Sequence, residues 1–389
     1  MIRAAPLPSI AGPVASRSLA GRHMHGLSLI ELMIAITLGL LVLAGLVTIY
    51  VDSSRSGNEF SKMNRQIENG RFALQMLRED LWHAGFWGEY RPPNWDEYAV
   101  GDEPAALPNP CLAFGNWGVT TADVEEYKKA LLAFPVQGYD NGTSLPAECT
   151  MVSDRQSGTD VLFVRHADTC IAGAAGCEAV TGGKLYYQAS LCSADETAYP
   201  STPNYVIDTD AALHVLRTRD GTGKSCTATG YTTAIAGKRK LVSNLYYIRD
   251  YATTSGDGIP TLMRSVLDLA GGAVEHQPAQ PLVEGIEHLA VEYGIDTDGD
   301  GDVDSFSSAP ATIAAWGNVI AVNIHVLARN LEKTAGHSDT KTYTLGAGNT
   351  LCSTASTDAG CASKTLDPGY KRHVFSAFVR LMNPAGRRE

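Results

Sequence analysis

Residues 26–51 read GLSLIELMIAITLGLLVLAGLVTIYV, and the reading of this stretch decides the fold. Gly26 is followed by Leu27 and a short neutral segment, then by a single carboxylate at Glu31, then by an unbroken apolar run from Leu32 to Val51. Such a run has the roughly 20 residues that a helix needs to cross a bilayer. An ordinary cleaved signal peptide would have an apolar segment of roughly 7–15 residues ending in a small-x-small site, and this run is longer and ends at Tyr50-Val51-Asp52. An acid at the head of a membrane helix is costly, which marks Glu31 as a functional residue. Arg3, Arg17 and Arg22 precede the run, so the positive-inside rule keeps residues 1–26 cytoplasmic and sends the rest outward.

Working outward, Leu27 to about Gly85 contains no proline, and Phe60, Met63, Ile67, Gly70, Leu74, Leu77 and Leu81 recur at three- and four-residue steps. That spacing predicts one long helix over 27–86, spanning a membrane over 27–51 and carrying an apolar stripe on its second half. From Trp87 to about Gln156 the chain is rich in Pro, Gly, Asn and aromatic residues, with one helix-like patch near Val124–Leu132. Strand signals follow at Asp160–Arg165, Lys184–Gln188, Leu213–Thr218, Leu241–Asp250, Thr261–Leu267, Glu287–Tyr293, Asn318–Ala328 and His373–Met382, parted by turn signals such as Asn141-Gly142 and Gly271-Gly272. The expected fold is α+β: a basic leader (1–26), the helix (27–86), and a mainly antiparallel β-rich domain (87–389) outside the membrane.

The formal net charge is −11. The leader holds three arginines and no acid, so the remainder has 28 basic against 42 acidic side chains. Such a surface excludes nucleic acid as a partner, because phosphate binding needs clustered Lys and Arg. No nucleophile elbow, zinc-binding HExxH pair, phosphate loop or dinucleotide fingerprint is present, and His325 and His373 fall in strand patterns. An enzyme is therefore not expected.

The Gly26–Leu32 segment resembles the prepilin cleavage and methylation motif of type IV pilins and type II secretion pseudopilins. The resemblance implies that a prepilin peptidase cuts after Gly26 and methylates Leu27, where most members have Phe. It also implies that Glu31, fifth in the mature chain, pairs with an N-terminal amine during assembly. The segments Glu68–Leu74, Asp80–Gly85, Pro281–Ile286, Arg372–Phe375 and Arg380–Asn383 resemble the PilW family of minor pilins. That family implies other minor pilins, the major pilin and a PilY-type tip adhesin as partners, with anchoring in the inner membrane and incorporation into the pilus. A type II secretion pseudopilin is the alternative; a solitary membrane-anchored, calcium-dependent enzyme or adhesin is a further one.

Two other features stand out. Asp296, Asp298, Asp300, Asp302 and Asp304 alternate with Gly at the sixth position of the loop, as a calcium loop of the EF-hand kind requires, although Ser307 replaces the closing Glu. A solvated Asp-Gly turn is the other reading; five acids in nine residues repel one another without a cation, so structural calcium is expected. All eight cysteines lie past the apolar run, which suits disulfides in an oxidising compartment. Cys170 with Cys177 and Cys352 with Cys361 are near neighbours, and Cys111 with Cys149 and Cys192 with Cys226 would complete the set, one connectivity among many.

Overall fold

A computed structural model describes residues 26, 28–189, 205–216, 235–347, 349–359, 361 and 364–388. The chain forms two compact units, Met1–Asn58 and Glu59–Glu389, divided within helix α1 (Leu29–His83). The apolar first half of α1 is exposed along its length and is long enough to cross a membrane. From Glu59 onward the helix belongs to the head.

The line of α1 that enters the core keeps Gly70, Leu77 and Leu81 of the predicted stripe but adds Gln66 and Ala73 and leaves out Phe60 and Met63, which are exposed. Small residues set this line because the sheet approaches the helix backbone closely: a Cβ at Gly70 would lie 2.2 Å from the Phe375 ring. Gln66 is the polar member, and its side-chain amide donates to the Ala328 carbonyl at 2.8 Å and the Lys371 carbonyl at 3.2 Å.

After α1 the chain runs through α2 (Thr121–Ala133), capped by reciprocal bonds between Thr120 and Asp123, into β1 (Val136–Tyr139). Strands β2 (Val161–Ala167), β3 (Tyr186–Ala189), β4 (Tyr205–Asp208), β5 (Lys238–Arg249), β6 (Thr261–Ala270), β7 (Ala273–His276) and β8 (Gln280–Glu284) join β1 in one eight-stranded sheet. Its path is β1-β2-β5-β3-β4, with β6 also on β5 and with β7 and β8 on β6. A four-stranded antiparallel sheet follows in the order β10 (Ser305–Ser307), β9 (Ile286–Ile295), β11 (Val319–Arg329), β15 (Arg372–Arg380). A small third sheet holds β12 (Thr342–Thr344), β13 (Thr350–Ser353) and β14 (Lys364–Leu366), with β13 and β14 parallel. The short helices α3 (Ile313–Gly317) and α4 (Met382–Ala385) flank β11 and β15 in sequence.

One hydrophobic core gathers Ala73, Leu77 and Leu81 of α1 with Leu162 and Ile248 of the first sheet and Val291, Ile324 and Val326 of the second. All ten residues of β9 are buried, as for a strand covered on both faces. Asp160 stitches the two sheets together: its carboxylate accepts the Asn141 and Val291 amides, each at 2.8 Å, and its own amide donates to the Leu289 carbonyl.

The expected strand at Leu213–Thr218 is not formed where it is described. Residues 211–213 make a single 3-10 turn, because the Asp210 side chain accepts the Ala212 amide and closes the chain on itself; residues 217 and 218 lie outside the described residues. The loop-rich segment before Gln156 holds β1, a strand too short to show a period. Disulfides join Cys111 with Cys149, Cys170 with Cys177 and Cys352 with Cys361. Cys192 and Cys226 lie outside the described residues, as do residues 1–25 and Leu27.

Candidate functional site

The anchor begins with a reciprocal cap. The Ser28 amide donates to the Glu31 carboxylate at 2.9 Å, and the Glu31 amide to the Ser28 hydroxyl at 3.2 Å. Two of the unpaired donors at the start of α1 are satisfied in this way. Glu31 is thereby held in the first turn of α1. The Ser-x-x-Glu spacing is itself a sequence signature for such a cap, one that reading Glu31 only as an assembly residue passes over.

The far end of α1 is built from segments that are remote in sequence. The Asn383 side-chain amide donates to the Ala84 carbonyl at 3.1 Å, capping a helix end, and Gly85 leaves the helix at φ +73°, where a Cβ would lie 3.2 Å from Pro384. The Asp80 carboxylate accepts from His166 Nε2 at 3.0 Å, from Asn244 Nδ2 at 3.0 Å and from the Tyr246 hydroxyl at 2.9 Å, which fastens the helix to β2 and β5. Higher up, Asn69 Nδ2 donates to the Glu284 carbonyl at 2.9 Å, next to a turn at Gly285 with φ +75°. At the start of β15, the buried Arg372 guanidinium forks onto Glu287 and also reaches Asp339 at 3.0 Å. Asn69, Asp80 and Asn383 therefore fasten the second half of α1 to its surroundings, whereas Arg372 ties β15 to β9 and to Asp339. The expected sheet histidines differ: His325 bonds Ser376 and Glu292, while His373 is exposed.

The acidic loop lies between β9 and β10. Asp296, Asp298 and Asp304 each bring an oxygen within 4.8 Å of the others, whereas Asp300 and Asp302 stand outside this group. Asp296 is fully buried; it accepts the Gly299 and Gly301 amides and pairs with Arg388 Nη1 at 3.1 Å. Asp304 accepts the Thr297 hydroxyl and amide, which hold its pKa down. Asp298 accepts the Asp300 amide, which favours its charge, but desolvation and the neighbouring carboxylates Asp300, Asp304 and Asp296 push its pKa up. Three carboxylates less one guanidinium leave two negative charges, which suits one divalent, oxygen-seeking cation.

The chain matches the family model for type IV pilus-assembly protein W over residues 245–383 and the prokaryotic N-terminal methylation motif over residues 21–47. The chain carries a PilW-family region behind a prepilin-type anchor. The match runs from within β5 to within α4 and includes Arg372 and Asn383, and the second match covers the cap at Ser28 and Glu31. Pilins of this family are structural components and not enzymes, and the two matches imply interaction with other pilins and processing by a prepilin peptidase. Motif and apolar helix together suggest membrane anchoring and incorporation into a pilus. Among solved structures, a type IV-like pilin from Thermus thermophilus is similar at 12% identity, over 58% of this chain and 78% of that one, with a TM-score of 0.27, too low to bear on the fold. No curated protein matches the sequence.

Proposed function

We propose that this chain is a PilW-type minor subunit of the type IV pilus that joins other minor pilins, the major pilin and a PilY-type adhesin to prime assembly and stay at the tip. The supporting observation is the pairing of a prepilin anchor with a large, multiply bridged head in which Asn69, Asp80 and Asn383 fasten α1. In this reading the leader stays in the cytoplasm, the peptidase cuts between Gly26 and Leu27, and the head folds in the periplasm, where its disulfides form. Glu31 then trades its Ser28 cap for the methylated amine of a neighbouring subunit, because a carboxylate left in lipid costs several kcal/mol unless paired. A type II secretion pseudopilin shares the anchor, and the two readings separate by location.

Deletion of the chain tests the role: few surface pili and lost twitching motility, with the remaining pili of normal length, are expected. Label on the restored protein should lie at fibre ends. Normal pilus numbers in the deletion strain, or label only on secretion machinery, would contradict it.

Calcium at Asp296, Asp298 and Asp304 is proposed as a structural ion of the head, drawing the loop between β9 and β10 together and relieving the repulsion that raises the Asp298 pKa. Calorimetry with millimolar calcium should give a saturable heat and a raised melting temperature. No heat and no shift would leave the loop as a solvated turn.

A further inference from the structure

Strand β15 closes the second sheet on one side, and no strand lies beyond it among the described residues. Its register on β11 runs unbroken from Arg372↔Arg329 to Arg380↔Ala321. In the same register the Leu381 amide donates to the Ile320 carbonyl and the Asn330 amide to the Lys371 carbonyl. Odd-numbered residues of β15 therefore turn their backbone groups toward β11, and Val374, Ser376 and Phe378 turn theirs to the open side. A long exposed edge of this kind is a ready template for another strand.

The open lane is roofed. Leu74, Arg78 and Trp82 on the flank of α1, with Ser376 and Ala377 of β15, line a groove of about 820 Å³, and Trp82 is 53% exposed. From Arg71 to His83, both on the rim, the helix rises about 18 Å at its 1.5 Å per residue. That is the length of a strand of about five residues.

Charge selects the occupant. Arg71 and Arg78 meet no carboxylate among the described residues, and Glu79 is the one acid on the rim. Strand β15 itself, RHVFSAFVR, carries no acid, and its Arg372 is buried against Glu287 and Asp339. A second copy docking edge to edge would bring Arg71 and Arg78 toward the same arginines of its partner, which like-charge repulsion opposes.

We propose that β15 takes on a fifth strand from a different subunit of the pilus, an extended segment of about five residues whose acidic side chains meet Arg71 and Arg78 while its apolar ones pack under Leu74 and Trp82. Main-chain bonds to Val374, Ser376 and Phe378 give affinity, and the two arginines give choice of partner. The proposal rests on the pilin reading above.

The test is photo-crosslinking in cells that assemble pili, with a benzophenone amino acid in place of Gln75 in the full chain and sequencing of the captured peptide. Expected is one peptide from another pilus subunit, bearing Asp or Glu at alternate positions. Its yield should fall at least about fivefold in an Arg71→Glu/Arg78→Glu variant and in Ser376→Pro, which removes an outward amide that an edge strand can spare. Ser376→Ala loses the same hydroxyl contact to His325 and should crosslink normally. Processed chain in sheared fibres is measured in the same cells. Its absence would sink the pilin reading itself; its presence without a crosslink, with a second copy captured, or with full yield in both the double variant and Ser376→Pro would overturn the strand proposal.

Discussion

Asp80→Ala removes the carboxylate that fastens α1 to the first sheet. Its four contacts come from three donors, His166, Asn244 and Tyr246, which are 8%, 7% and 1% exposed. Each would be left in a site that water barely reaches, and an unsatisfied buried group costs about 1–3 kcal/mol. Taken with the measured cost of breaking buried pairs, the loss is about 3–5 kcal/mol. A head of about 330 residues has an unfolding entropy of roughly 0.7 kcal/mol/K, so the melting temperature should fall by about 4–7 °C. Asp80→Asn keeps the shape and one acceptor and should fall by about half as much. The pH dependence supplies a second readout. Burial disfavours the His166 imidazolium, but its bond to Asp80 more than offsets this and raises the pKa above 6.5. The pairing therefore contributes in full below about pH 6.5 and is lost as pH climbs through the folded value, and this slope should vanish in Asp80→Ala. Circular dichroism melts of the full chain in detergent between pH 5.5 and 8.5 measure both. An alanine variant melting within about 1 °C of the parent would refute the assignment of Asp80 as the clamp.

Glu31→Ala should leave cleavage after Gly26 intact yet lower recovery in sheared fibres at least about tenfold, as immunoblots of fibre and membrane fractions would measure; equal recovery removes its assembly role. Asp298→Asn/Asp304→Asn should abolish any calcium-induced rise in melting temperature, and an unchanged rise would place the ion elsewhere. Burial raises the Asp160 pKa to about 7, although the Asn141 and Val291 amides oppose this. The unfolded chain ionises this group near pH 4 while the folded chain stays protonated, so stability declines by a few kcal/mol from about pH 4 to 7. Asp160→Asn should flatten that decline, and an unchanged pH profile by chemical denaturation would show that Asp160 is charged in the fold.

The sequence revealed most where the physics is local. The run from Leu32 to Val51 declares a membrane-length helix by composition alone, and the alternation of Ile320, Val322, Ile324 and Val326 around Asn323 and His325 marks β11 almost to the residue. Where tertiary packing decides, the pattern misled. The stripe held at Gly70, Leu77 and Leu81, but Phe60 and Met63 are exposed while Gln66 and Ala73 are buried, and Gly70 serves by letting Phe375 of β15 approach. The Asp80 clamp was invisible because its partners are 86 to 166 residues away. Likewise the acidic repeat is evenly spaced in sequence, yet the turn at Gly299 and Gly301, both at positive φ, gathers three of its five carboxylates and leaves two outside. The pull of Arg388 on Asp296 comes from the other end of the chain.

The central claim, that this chain is a processed pilus subunit, is tested most directly by mass spectrometry of its N-terminal peptide from sheared surface fibres and, in parallel, from membranes. The account predicts a peptide beginning at N-methylated Leu27 in the fibres. A chain still beginning at Met1, or processed chain confined to membranes, would contradict it.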